Sequence, residues 1–383
     1  MSFRRSRYIA ARLILVVIVA LGVELLLFWP QARAHLQSVA LLWQLNGLPV
    51  PKLARPFASY PLTVKSFTIL TSQGPTPVIL YMPKYKPNAR GVVLVHGVDH
   101  LGIRSPRMVA FARSLAACGL LVLTPELPDI QDYHVTTGSI ATIGDAANWL
   151  ANTIGRPVGL MGLSFSGGLA LMAAAEPQYA KSVSFVFAVG AHDSMPRVAN
   201  FYVTGEDVLP NGTVESLTPH EYGSLVLEYE NLQDFTQPAD TEALRAALRA
   251  RLHEDPALEQ SLVVQFTPAQ KVEYDHIIHT QQQDLAIAES SRKHEAELEA
   301  VSPHGHLQDL RVPVFLLHGR DDNIIPYAES EWLAKDLPTG TLHALLVSPM
   351  VAHVDMEKDH KPDLMDKWRL VHFLARVMEC AEH

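Results

Sequence analysis

The sequence predicts an α/β fold: a mostly parallel sheet with helices on both faces, a helical cap insertion, and an N-terminal transmembrane helix in front. Three observations predict it. Short continuous apolar runs alternate with helical stretches from residue 91 to 189, as expected of strands buried on both faces and joined by crossover helices. That alternation stops between His192 and His306 and resumes at Val312. An apolar run from Leu13 to Trp29 follows Arg4, Arg5, Arg7 and Arg12.

The N-terminal run, counted from Tyr8, is about 22 residues, long enough for a helix to span a bilayer. Glu24 is its single acid and lies near the distal end. The arginines predict an N-inside orientation with the rest of the chain extracytoplasmic. Ala32-Arg33-Ala34 resembles a signal cleavage site, so secretion after cleavage is the alternative. The run is longer than a usual signal core, which favours a permanent anchor. Residues 1–34 are therefore read as anchor or signal. Residues 35–60 are read as a proline-bearing connector with room for one short helix.

The elements follow in order. Pro61–Leu70 alternates apolar and polar residues and reads as a strand, and Pro77–Met82 as another. Gly91–His96 is a buried strand, followed by a helix over Pro106–Cys118, a strand over Leu120–Thr124 and a helix over Ile140–Asn152. Val158–Met161 and Val183–Val189 are strands flanking a further helix. Residues 61–192 thus form the first part of an α/β core. Residues 193–302 read as a helical cap without a strand series, with helical stretches at Thr241–His253 and Gln282–Leu298. Residues 303–383 complete the core with strands at Val312–Leu317 and Leu342–Ser348 and a last helix over Asp363–Val377.

Composition narrows the partners. The chain has 383 residues, 48% of them hydrophobic, which suffices for one large domain with an insertion or for two domains. The net charge of −9 and the lack of a basic block beyond residue 12 argue against nucleic acid. Cys118 and Cys380 cannot build a disulfide framework, and Cys118 reads as packing.

The chemistry concentrates at Val158–Leu171, where a strand runs through small residues directly into an Ala- and Leu-rich helix. This is the pattern of a nucleophile elbow: a sharp turn lifts a serine clear of the backbone, and only small neighbours tolerate the turn. Gly162 stands two residues before Ser164 and Ser166 two after, with Gly167 and Gly168 next. Ser166 occupies the place of the usual second glycine. Ser164 is the expected nucleophile because it follows directly on the strand end. Ser166, two residues further on and inside the helix, is the alternative.

Three further motifs supply what a serine nucleophile needs. His96-Gly97-Val98 ends the first buried strand, where the N–H of Val98 can meet a developing oxyanion together with the N–H of Phe165. His318-Gly319-Arg320-Asp321-Asp322 follows a resumed strand. Asp322 is the expected orienting acid, and Asp321 reads as a cap for the next helix. His353 follows the last strand and is the expected base, with His360 a nearby competitor. The order Ser164, Asp322, His353, each after its own strand, matches the chain order of this elbow chemistry.

On these residues the chain resembles the α/β-hydrolases, and within them the bacterial dienelactone-hydrolase-like and esterase-like branch. The resemblance covers about residues 60–192 and 303–383, with the cap between the sixth and seventh core strands. It implies a serine hydrolase that cleaves a carboxylic ester through an acyl-enzyme, without a cofactor. Dienelactone hydrolases carry a cysteine nucleophile and haloalkane dehalogenases an aspartate. Ser164 departs from both and points to ordinary ester chemistry. A peptidase or amidase, a thioesterase or lipase, and a non-catalytic binding protein are the alternatives. The expected partners are a small-molecule or lipid-like ester and, through the N-terminal helix, a membrane.

Some motifs stay outside this constellation. His304-Gly305-His306 with His294 upstream matches no standard metal spacing, so no metal is expected. Asn211-Gly212-Thr213 is a formal glycosylation sequon. Gly190-Ala191-His192-Asp193 either lines the pocket with Gly97 or forms a turn closed by an Asx-type bond.

Overall fold

The computed structural model describes residues 28–279, 285–351 and 363–382. Eight strands form one sheet: β1 (Leu62–Thr71), β2 (Gly74–Pro83), β3 (Gly91–Val95), β4 (Leu121–Pro125), β5 (Val158–Leu163), β6 (Val183–Val189), β9 (Val314–Gly319) and β10 (Leu342–Ser348). Their order across the sheet is β1-β2-β4-β3-β5-β6-β9-β10. β2 runs antiparallel to both β1 and β4, and the remaining pairs are parallel.

The continuous apolar strands are continuous because both of their faces are covered. Along β3, Val93 and Val95 pack with α4 (Thr137–Ile154) and α5 (Phe165–Ala175). Val92 and Leu94 point the other way, into a core with α2 (Pro106–Ala117) and α14 (Leu364–Glu382). The same two-residue period divides Val186 and Ala188 from Phe185 and Phe187 on β6, and Leu316 from Phe315 and Leu317 on β9. Each such side chain taken from water stabilises the fold by about 1.5–3 kcal/mol.

The predicted strands and core helices are present, with ends that differ by a few residues. The segment read as a connector from residue 35 lies partly in a helix over 28–45, here α1, whose Ala34, Gln37, Ser38, Ala40 and Leu41 are buried. Arg33 of α1 bridges to Glu382 at 2.8 Å, and Gln37 donates to the carbonyl of Cys118 at 2.9 Å. These contacts make the start of the connector part of the packed body. The predicted membrane span falls almost wholly on residues 1–27, outside the described residues. Among the described residues no helix is long and apolar enough to cross a membrane.

The insertion between β6 and β9 is mostly helical. It carries α6 (Met195–Thr204), α7 (Glu221–Glu230), α8 (Thr241–Leu252), α9 (Pro256–Val263), α10 (Pro268–Ile278), α11 (Leu285–Lys293) and α12 (Glu295–Ala300). It also holds a small hairpin that patterning missed, β7 (Glu206–Val208) with β8 (Val214–Ser216), and the Asn211-Gly212-Thr213 sequon forms its turn. The stretch read as one helix over Gln282–Leu298 is interrupted at His294, which bonds Asp234 at 2.8 Å. Three-residue strands are too short to show a period, and a polar break inside an amphipathic stretch leaves its period nearly intact.

Candidate active site

The carboxyl ends of β3, β5, β6, β9 and β10 point to the same edge of the sheet, where open α/β sheets place their ligands. Ser164 sits on that edge between β5 and α5, at φ +56° and ψ −138°. A non-glycine residue at positive φ is strained and needs surrounding structure to hold it. Here the N–H of Ser164 donates to Val189 O at 2.7 Å, and its carbonyl accepts from Gly167 N at 2.8 Å. Gly162 is obligatory beside it, since a Cβ there would lie 2.4 Å from Ser166 O. Gly97 is nearly so, because its Cβ would lie 3.1 Å from Ser164 Cβ.

Ser166 is wholly buried, and its Oγ donates to the carbonyl of His96 at 2.6 Å. It therefore ties the elbow helix to the end of β3. Its φ is not positive, so the position does not require the glycine of the usual pattern. Gly167 packs against Ala191 and Gly168 against His192, where Cβ atoms would come within 2.8 and 2.5 Å respectively.

The loop after β3 is held from two sides. His96 Nδ1 donates to Gly97 O at 2.8 Å, while its Nε2 accepts from Leu127 N at 3.1 Å. That pattern requires the neutral ring, and burial indeed lowers the imidazole's affinity for a second proton. Gly97 O belongs to the peptide that carries the Val98 N–H, so His96 sets where that N–H aims. On the other side, Tyr222 at the start of α7 donates its hydroxyl to Val98 O at 3.2 Å. The N–H of Phe165, first residue of α5, has no acceptor within its helix, and the helix dipole adds positive potential there.

Asp322 is buried beyond the end of β9. Its Oδ1 accepts from Ile324 N at 3.1 Å and Ile325 N at 3.0 Å, which fixes the carboxylate. Its Oδ2 lies 3.5 Å from His318 Nε2, but that ring is engaged with Ile325 O at 2.8 Å and Ser330 Oγ at 2.7 Å. Asp321 is exposed and does not cap a helix as expected: α13 (Ala328–Asp336) begins after Tyr327 with no side-chain cap. The chain geometry that made capping plausible is taken up instead by the Asp322 turn. His353 and His360 lie outside the described residues. Val351, the last described residue before them, has its carbonyl against Gly319, where a Cβ would be 2.6 Å away.

His192 and Asp193 do not line an open pocket, nor does Asp193 close an Asx turn. Both are fully buried. His192 Nε2 donates to Val301 O at 2.8 Å. Asp193 pairs with Arg197 at 2.7 Å, and Arg197 reaches Glu329 at 2.5 Å. Glu329 in turn accepts the backbone N–H groups of Asp193 and Ser194, each at 2.8 Å, at the mouth of α6. Burial and the neighbouring Glu329 push the Asp193 carboxyl up to about 6. The residues act as a buried clasp between the end of β6, the insertion and α13. A pattern His-Asp-Ser-Met-Pro before a helical stretch is a helix start, and that signal was available in the sequence.

The histidines that raised a metal question separate. His294 meets Asp234, and His306 Nδ1 faces Ser302 O at 3.0 Å. Among the described residues, Asp193, His304 and Asp336 come close enough to share a cation. The Arg197 guanidinium already occupies Asp193 Oδ2 there, and His304 bonds Asp336 at 2.5 Å. Arg197 and the His304–Asp336 bond thus already engage the atoms that face one another, and a cation would have to displace them.

Sequence reasoning did not single out Tyr202 and Glu230, which pack near Phe165, or Tyr222, which bonds Val98 O, all contributed by the insertion. They carry no spacing motif, and only the packing of α6 and α7 brings them near Phe165 and Val98.

A solved structure from Legionella pneumophila is 15% identical over 89% of this chain and 94% of its own, with a TM-score of 0.56. An esterase from Pyrobaculum calidifontis is 16% identical over 91% of both chains, at TM-score 0.45. An acylaminoacyl peptidase from Pyrococcus horikoshii is 12% identical over 87% of this chain and 43% of its own, at TM-score 0.44. The search of curated proteins finds no significant match. The sequence model of the alpha/beta hydrolase family matches residues 92–360, well over half of the chain, and the chain belongs to that family.

Proposed function

We propose that the chain is a serine hydrolase that cleaves a carboxylic ester through an acyl-enzyme. The observation that carries this reading is the strained Ser164 at the turn between a mostly buried strand and its helix, next to the candidate oxyanion N–H of Phe165. Strain of about 1–3 kcal/mol at one residue persists where the geometry is used.

Ser164 Oγ attacks the acyl carbon and passes its proton to His353. The carbonyl oxygen becomes an oxyanion received by the N–H groups of Val98 and Phe165. Asp322 holds the imidazole in its working tautomer and stabilises the imidazolium. The imidazolium then protonates the departing alcohol, and water attacks the acyl-enzyme with His353 as base. His353 enters through chain order, two residues beyond Val351. Serine at the elbow supports the esterase-like side of the resemblance, and the chemistry needs no cofactor.

The N-terminal apolar run supports a single-pass anchor with this domain extracytoplasmic. Cleavage after Ala34 would remove Arg33 and its bridge to Glu382, which favours the uncut form.

Initial rates on p-nitrophenyl acetate and butyrate test the reading. The wild type should turn both over, and Ser164→Ala, Asp322→Asn and His353→Ala should each lose about three orders of magnitude or more in kcat. Wild-type rates in Ser164→Ala would overturn it, and faster turnover of matched p-nitroanilides would move it to amide bonds.

A further inference from the structure

The cap meets the loop that follows β3 at two points. Tyr222 bonds Val98 O, and His253, at the end of α8, lays its ring on His100, two residues beyond Val98. The two imidazoles stack with their centroids 4.4 Å apart and their planes 17° apart. Tyr133, from the loop between β4 and α4, links the two points. Its ring stands edge-on to Tyr222 at 6.4 Å and stacks on His253 at 5.9 Å. The same loop grips both sides: Tyr133 donates its hydroxyl to Leu252 O in the cap at 2.6 Å, and Gln131 donates its side-chain amide to His100 O at 2.7 Å.

This seam holds strained backbone. Tyr133 lies at φ +64°, and Glu254, next to His253, at φ +55°. Among the described residues, the other non-glycine residues at positive φ are Ser164 and Tyr85. Such strain persists where the surrounding contacts over-determine it, and it gathers at parts that act. We propose that His253 is a positioning residue for the candidate oxyanion loop. Its ring holds the loop through His100 while at most one of the two imidazoles is protonated, and releases it when both are. The inference rests on the serine-hydrolase reading above.

Two imidazolium rings repel at this distance. The charged groups around the pair do not reverse that. Asp99 Oδ1 lies 3.7 Å from His100 Nδ1, and it also accepts from Leu101 N at 2.8 Å. Arg249, one turn earlier on α8, adds a positive charge near His253 and is itself bound to Asp132 at 2.9 Å. Glu254 and Asp255 are exposed to water. Burial raises the Tyr133 phenol, which therefore stays neutral. Burial first, then His100 and Arg249, push the His253 imidazole below its ordinary value, against Asp132 and Asp255. The stacked arrangement thus disfavours a proton on His253. Its stability is complete above the ordinary histidine value of about 6.5 and is lost as pH falls below it.

Rate profiles against pH on p-nitrophenyl butyrate test the proposal. Protonation of the catalytic base alone gives an acid limb of unit slope in log kcat/KM, and release of the loop adds to it. Between pH 7.5 and 5.5 wild type should lose about tenfold more kcat/KM than His253→Phe, which keeps a ring on His100 but takes up no proton. His253→Ala should lower kcat at pH 7.5 by about fivefold with KM nearly unchanged, and His253→Phe should recover most of that loss. Thermal melting at both pH values checks that the variants are folded. Equal acid losses in wild type and His253→Phe, or wild-type kcat in His253→Ala, overturn the proposal and leave ester hydrolysis intact. A loss confined to KM overturns it as well, by making His253 a substrate contact. Hydrogen exchange reads the loop without turnover. After correction for intrinsic rates, the amides of residues 98–102 should lose about tenfold in protection at pH 5.5 in wild type and keep it in His253→Phe. Equal changes in the two proteins overturn the proposal whether or not an ester is cleaved. Failure of wild type to hydrolyse the ester, or of Ser164 to react with a fluorophosphonate, would count against the hydrolase reading instead.

Discussion

Ser166 donates its hydroxyl to the carbonyl of His96 across 2.6 Å, binding the elbow helix to the strand that ends in the candidate oxyanion loop. The serine that replaces the expected glycine is thereby a structural strut. Ser166→Ala should keep a reactive Ser164 and lose about 1–2 kcal/mol of stability, because His96 O is left buried and unpaired. Denaturant unfolding and fluorophosphonate labelling of the same variant read the two effects separately.

Gly162 admits no side chain. Gly162→Ala would bring its Cβ within 2.4 Å of Ser166 O, a backbone atom that cannot yield without moving the elbow. We expect a loss of several kcal/mol in unfolding free energy or failure to fold, with labelling lost in any folded fraction. A variant with wild-type melting and labelling would contradict this geometry.

Tyr222 reaches from α7 to Val98 O at 3.2 Å. Burial raises its phenol well above the ordinary value, so it stays a donor throughout the working pH range. Tyr222→Phe should lower kcat by about tenfold with little change in KM, since Val98, held at its carbonyl side no longer, aims its N–H less firmly and weakens oxyanion binding more than substrate binding. A change confined to KM would assign Tyr222 to substrate contact instead.

Glu230 links pH to stability. Its carboxyl is raised from 4.5 to about 7, first by burial, with Val135 N–H opposing. A raised acid binds its proton more tightly in the folded state, so its contribution is full below about 4.5 and is lost as pH rises through 7. Glu230→Gln should therefore flatten the stability profile. Relative to wild type it should gain on the order of 2 kcal/mol at pH 8 over pH 5, measured by urea unfolding at both. A parallel offset at the two pH values would show that Glu230 does not titrate in that window.

The Asp193–Arg197–Glu329 clasp predicts a large single-site loss. Arg197→Met leaves two buried carboxylates facing each other and should cost about 3–5 kcal/mol. The melting temperature should recover in part at pH 5, where the raised Asp193 carboxyl takes up a proton.

The sheet was legible because its strands, buried on both faces, appear in sequence as apolar runs such as Val92–Val95 and Phe185–Val189. The elbow was legible because a sharp turn demands small residues at fixed offsets, and Gly162 and Ser164 display them. The cap tyrosines were not legible. Tyr202 and Tyr222 come near Phe165 and Val98 through the crossing of α6 and α7, a tertiary relation with no period in the chain. The clasp around Asp193 was missed for a similar reason: Glu329 stands 136 residues away, and a local turn was the nearest reading of the isolated motif. The short hairpin at β7 and β8 carried only its turn signal at Asn211-Gly212.

The measurement that bears most directly on the central claim is active-site labelling with a fluorophosphonate probe, with the modified peptide mapped in wild type, Ser164→Ala and Ser166→Ala. We expect one labelled residue, Ser164, retained in Ser166→Ala and absent from Ser164→Ala. Labelling at Ser166, or a wild type that neither reacts with the probe nor hydrolyses short p-nitrophenyl esters, would contradict the assignment of this site.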